Sequence, residues 1–195
     1  MTVPATTSLP QAYPLPMRPL LPVRHSPSVA VADIHEHELR VAVISVRIGR
    51  ALGLSLREQD ALWIGARMHD IGKVGVRKSI FEKTGPLTSR ERAAMQRHPV
   101  HGEELARRLG APKEARLIVR HHHERWDGTG YPDGLRGEAI PLLARIVAVA
   151  DAYDAMTHDR PYRTHLPHAA AIRELERCAG TQFDPRIVTV ALERL

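Results

Sequence analysis

The chain has 195 residues, of which 43% are apolar, 26% charged and 4% aromatic, and it carries a formal charge of +6. That length allows one domain with a sizeable aliphatic core, and the composition excludes a disordered or fibrous chain. One cysteine, Cys178, excludes an internal disulfide, and no apolar run reaches the roughly 20 residues of a membrane span. The basic balance favours anionic partners, but the arginines are dispersed and few aromatics are available for base stacking, so nucleic acid is a poor fit. With no signal-peptide pattern at the N-terminus, the expected compartment is the cytoplasm.

In chain order, Pro4, Pro10, Pro14, Pro16, Pro19, Pro22 and Pro27 mark residues 1–30 as an irregular tail, and residues 31–195 as the folded domain. From Asp33, His37, Val41, Ile44 and Ile48 recur at helical spacing until Gly53. Ser55 and Glu58 form a capping box ahead of a helix bearing Leu62, Ala66 and His69. Thr88 and Glu91 repeat that signature before a helix that carries His98. Residues 113–124 predict a further helix bearing Ile118 and His122, followed by the polar, glycine-rich loop 126–134. Leu143, Val147, Ala150 and Asp154 line the next helix, residues 167–178 predict another, and Asp184-Pro185 opens a last one. No strand-like alternation persists, so the fold class is all-α: a helical bundle behind a proline-rich tail.

The ionisable residues on the apolar faces carry the chemistry. Asp33 and His37 share a face, His69 and Asp70 sit at a helix end, and His98, His122, His123 and Asp151 lie on three other helices. Taken singly, each is an ordinary core residue. Several converging from separate helices need mutual pairing or a metal, and imidazole with carboxylate suits iron, manganese, zinc or cobalt. Cys178 falls in a helical pattern and reads as a small buried apolar residue.

The stretch His69-Asp70-Ile71-Gly72-Lys73 resembles the signature of the HD phosphohydrolase superfamily. The run from His122 through Trp126-Asp127-Gly128-Thr129-Gly130-Tyr131-Pro132 resembles its HD-GYP branch, as do Val149-Ala150-Asp151 and Asp159-Arg160-Pro161-Tyr162-Arg163. The resemblance covers residues 33 to 190. It implies a cyclic di-GMP phosphodiesterase with two or three divalent metals, iron or manganese first, with zinc, cobalt and nickel as alternatives. His69 would bind one metal with Asp151, and Asp70 would bridge two. His98, His122 and His123 would hold the second, and His37 with Asp33 a third. Asp33 is a departure, because a Glu usually stands there and Asp is one methylene shorter, which leaves the metal count open.

The resemblance also places Lys73 by the substrate phosphate, and Tyr131, Arg160 and Arg163 on the nucleotide. Metals of this kind acidify a bridging water into a nucleophile and neutralise phosphoryl oxygens, which is how a phosphodiester would be opened. The product would be the linear dinucleotide, GMP or both. The alternatives are another cyclic dinucleotide or nucleotide as substrate, or a non-catalytic module that binds a protein through the Gly-Tyr-Pro loop or the tail. A homodimer is compatible with the sequence. Asp154 is expected to support a neighbouring ligand or arginine, Trp126 and Asp127 to shape the loop, and His35 and His121 to face solvent.

Overall fold

The computed structural model describes residues 27–83, 85–159 and 165–195, with side chains from His35 onward. Most of the proline-rich tail, together with Arg160 and Arg163, therefore lies outside the described residues. Among the described residues every regular element is helical. In order these are α1 (Pro27–Ala51), α2 (Leu56–Met68), α3 (Lys78–Phe81), α4 (Ser89–Met95), α5 (His98–Arg108) and α6 (Lys113–His121). α7 (Leu142–Thr157), α8 (His168–Arg177) and α9 (Pro185–Leu192) complete the bundle, with 3-10 turns at Ile71–Gly75 and Gly137–Ala139.

The core is aliphatic, as the scarcity of aromatics requires. α1 packs on α2 and α7, α2 packs on α6, and α5 packs on α6 and on the turn at Ile71–Gly75. Val41, Ile48, Leu62, Ile118, Ile146, Val147 and Leu175 are fully buried in this core. Small residues bring the helices close. A Cβ on Gly65 of α2 would stand 2.5 Å from Ile118 Cδ1 of α6.

Both expected capping boxes form, Ser55 with Glu58 and Thr88 with Glu91. Asp184 caps α9 and also accepts from Arg145 Nη1 at 2.6 Å, which fastens α9 to α7. Two boundaries differ from the sequence reading. α1 begins at Pro27 rather than Asp33, consistent with the preset φ of proline at a first helical position. α6 ends at His121 rather than residue 124, because the chain turns there to carry His122 and His123 inward.

Candidate metal centre

The helices deliver their ionisable residues to one place, mostly by their ends. His69 caps the C-terminus of α2 and Asp70 follows it. His98 is the first residue of α5, His122 caps the end of α6, and Asp151 lies within α7. Three imidazoles are oriented in the same way. Nδ1 of His69, His98 and His122 lies 2.6, 2.9 and 2.9 Å from the carbonyl oxygens of Ala66, Met95 and Val119, each three residues back. Each Nδ1 therefore donates a proton to a carbonyl of the preceding helical turn, and each Nε2 points into the bundle.

Those Nε2 atoms meet the Asp70 carboxylate. Asp70 Oδ1 stands 3.3 Å from His98 Nε2 and 3.8 Å from His122 Nε2, and Asp70 Oδ2 stands 3.4 Å from His69 Nε2. Asp70 Oδ1 and His69 Nε2 are buried without a hydrogen-bond partner. His98 Nε2 and His122 Nε2 face each other at 3.4 Å. Lone pairs opposed in this way, around an unpartnered buried carboxylate oxygen, repel one another unless a cation lies between them. Two ligand sets result: Asp70, His98, His122 and His123, and His37, His69 and Asp70, each with its donor atoms within 4.8 Å of one another. The donor set therefore fits divalent metals.

The charges fit as well. Burial opposes ionisation of Asp70, but the Lys73 ammonium and His69 hold its carboxyl well below the usual range. Asp151 is held down against burial by its hydrogen bond from His37 and by His69. Burial, reinforced by neighbouring imidazoles, pushes His122 well down, and burial brings His123 to about 4, so both are neutral and able to ligate. Burial disfavours a charge on His69, but Asp70 and Asp151 raise it to about 9. A metal binding beside His69 would displace that proton.

Around this cluster lies a supporting layer. His37 Nδ1 bonds Asp154 Oδ2 at 2.6 Å, which turns His37 Nε2 to within 3.3 Å of Asp151 Oδ1. Asp154 is buried and also accepts from Arg40 Nε at 2.6 Å, so it holds His37 and an arginine together. Lys73, expected near the substrate phosphate, bonds Asp70 Oδ2. The Tyr131 ring lies over His123, centroids 4.9 Å apart, and burial keeps its hydroxyl protonated. His35 is exposed, as expected, and Cys178 is a buried free thiol. Asp33 lies on α1 one turn before His37, and its side chain is outside the described residues.

Residues 26–187 match the family model described as the HD domain. This chain belongs to the HD-domain family. Over 160 residues the HD domain is 43% identical to the cyclic di-GMP phosphodiesterase response regulator of Xanthomonas campestris, covering 78% of this chain and 41% of that protein. It is 39% identical over 151 residues to a 3'3'-cGAMP-specific phosphodiesterase of Vibrio cholerae, covering 76% of this chain and 32% of the relative. The chain thus spans under half the length of these curated relatives. A solved HD-GYP-type protein of Bdellovibrio bacteriovorus shares the fold, with a TM-score of 0.67 at 22% identity over 82% of this chain and 51% of its own. No helix of the HD domain, among the described residues, is long and apolar enough to cross a membrane.

The loop that resembles the HD-GYP signature is tied to the cluster by a residue the sequence reading passed over. Glu124 is buried, and its carboxylate accepts the backbone N–H of Asp133 at 2.7 Å and of Leu135 at 3.1 Å. Asp127 closes the same loop through Thr129 and Arg125, the shaping role expected of it. A carboxylate directly after a histidine pair and before a glycine-rich loop is the only signal the sequence offers for the Glu124 clamp. Substituting Glu124→Gln in the HD domain presents an amide N–H to one of those two donors. Leaving a buried donor unpaired costs about 1–3 kcal/mol, and these two bonds are part-buried, so the loss is expected at the lower end of that range. Thermal melting of the variant against the parent checks this, and an unchanged midpoint would show that the clamp is dispensable.

His121 corrects an expectation. The sequence predicts a solvent-facing side chain, but His121 is buried, because the loop returns over the end of α6 and brings Asp133 against it.

Proposed function

We propose that this HD domain is a metal-dependent phosphodiesterase that hydrolyses cyclic di-GMP. The observation that carries the reading is Asp70 Oδ1, buried without a partner and ringed by inward-facing imidazole nitrogens from α5 and α6. Asp70, His98, His122 and His123 would hold one ion. His69, Asp70, Asp151 and His37 would hold another, with Asp33 available to a third. Iron or manganese is proposed from the family resemblance, with zinc, cobalt and nickel as alternatives, because imidazole and carboxylate ligands accept several first-row ions. Bound there, such ions supply an activated water and neutralise phosphoryl oxygens.

The remaining steps belong to the chain's own residues. Lys73 holds Asp70 ionised and sets positive charge beside the position a phosphate would take. The Tyr131 hydroxyl stays protonated at neutral pH and can donate to substrate. Arg160 and Arg163 are proposed to grip the dinucleotide through their planar forks. The proposed setting is cytoplasmic.

A second reading is supported by the likeness to the 3'3'-cGAMP-specific phosphodiesterase of Vibrio cholerae: the substrate would be the mixed dinucleotide. Anaerobic purification, elemental analysis and product analysis on cyclic di-GMP and cyclic GMP-AMP test both readings. The expected result is at least two divalent ions per chain, with faster turnover of cyclic di-GMP and loss of turnover on chelation. A fully metallated protein that opens neither substrate would overturn the assignment, and faster turnover of cyclic GMP-AMP would replace it with the second reading.

A further inference from the structure

Three consecutive histidines stand at the end of α6, His121 as its last residue and His122 and His123 just beyond, and the proposed metal centre uses the latter two. The third, His121, faces the opposite way, toward Glu124 and toward Asp133, which lies just beyond the Gly130-Tyr131-Pro132 turn. His121 Nδ1 is 3.8 Å from Glu124 Oε1 and 3.5 Å from Asp133 Oδ2. It is buried and has no hydrogen-bond partner. These separations are too long for a charged N–H···O bond, which runs to about 2.7–2.9 Å. They are close to the spacing of ligands around a shared ion, since donors about 2.1 Å from a tetrahedral zinc stand about 3.4 Å apart.

The oxygens facing His121 each keep an acceptor position free. Glu124 Oε1 accepts one backbone N–H, from Asp133, and Asp133 Oδ2 accepts one guanidinium N–H, from Arg120 Nε. The local charge also favours a cation. Glu103, Glu124 and Asp133 are answered by Arg120, which bonds Glu103 and Asp133. The three donor atoms lie within 4.8 Å of one another.

We propose that His121, Glu124 and Asp133 form a second cation site, separate from the Asp70 cluster, which takes a tetrahedral transition ion such as Zn²⁺ and clips the Gly130-Tyr131-Pro132 turn to the end of α6. One imidazole and two carboxylates suit Zn²⁺, and solvent at the half-exposed Asp133 edge supplies the fourth ligand. The site is structural and does not depend on which dinucleotide, if any, the HD domain hydrolyses.

The probe is Zn²⁺ alone, added to the full chain after chelator treatment, with bound metal counted by elemental analysis after gel filtration. His121→Ala and Asp133→Asn are each expected to bind one equivalent fewer than the parent. In an Asp70→Asn background, adding His121→Ala is expected to remove one further equivalent and to reduce the Zn²⁺-induced rise in melting temperature. Asp133 is partly exposed, so its variant reports even if the His121 variant fails to fold. Equal zinc content in the parent and the Asp133→Asn variant overturns the proposal. So does a Zn²⁺-induced rise that is as large with His121→Ala as without it in the Asp70→Asn background. Loss of cyclic di-GMP turnover plays no part in the readout, so this site and the proposed activity stand or fall separately.

Discussion

Replacing Asp70 by Asn is expected to lower the proposed hydrolysis of cyclic di-GMP by at least about 10³-fold while the helical fold persists, because metals at such a centre would contribute several kcal/mol and about 4 kcal/mol corresponds to that factor. Asp70 is the one residue shared by both ligand sets. Its Oδ1 faces His98 and His122, and its Oδ2 faces His69 and Lys73. An amide keeps the size of the side chain but loses the charge that draws two cations together. It also gains an N–H group that can donate to the Nε2 atoms of His98 and His122, which partly offsets the lost pairing with Lys73 and His69, so the helical fold should persist. Elemental analysis should show fewer ions per chain, and circular dichroism an unchanged helical spectrum. Activity within tenfold of the parent, with metal retained, would remove Asp70 from the centre.

The same residues show how far the sequence could be read. The converging His and Asp residues were legible because each sits beside an apolar stripe, and helical periodicity reports which face turns inward. The capping boxes at Ser55 and Thr88 were legible because the signal and the structure are both local. Asp154 was legible as a helix-face partner one turn beyond Asp151, although its pairing with His37 and Arg40 spans more than a hundred residues. The end of α6 was not legible. Periodicity continues formally through residue 124, and only the tertiary turn that seats Glu124 under the loop stops the helix at His121. His121 was misplaced for the same reason. A helical pattern gives the direction of a side chain but not what a distant loop lays over it. The clamp on Asp133 and Leu135 likewise consists of backbone hydrogen bonds across a loop without periodicity.

Replacing Gly72 by Ala is expected to damage both the fold and the centre, although alanine is the smallest step from glycine and Gly72 binds nothing. A Cβ there would stand 1.9 Å from the backbone oxygen of His98 and 2.5 Å from the backbone nitrogen of Gly102. Both atoms belong to α5, so no side-chain rotation can relieve the overlap, and the turn at Ile71–Gly75 must part from the helix. That contact sets the distance between Asp70, just before the turn, and His98, at the start of α5, now 3.3 Å between Oδ1 and Nε2. Overpacking a core costs about 1–3 kcal/mol, and a rigid backbone clash belongs at or above the top of that range. For a domain of this size about 3 kcal/mol lowers the melting temperature by about 6–12 °C. Gly85→Ala is the matched control, since its Cβ would meet nothing within 4 Å. Gly72→Ala should therefore melt well below both the parent and the control, and retain less metal than either. A Gly72→Ala protein with parental melting and metal content would show that the close approach of the turn to α5 is not what holds Asp70 against His98.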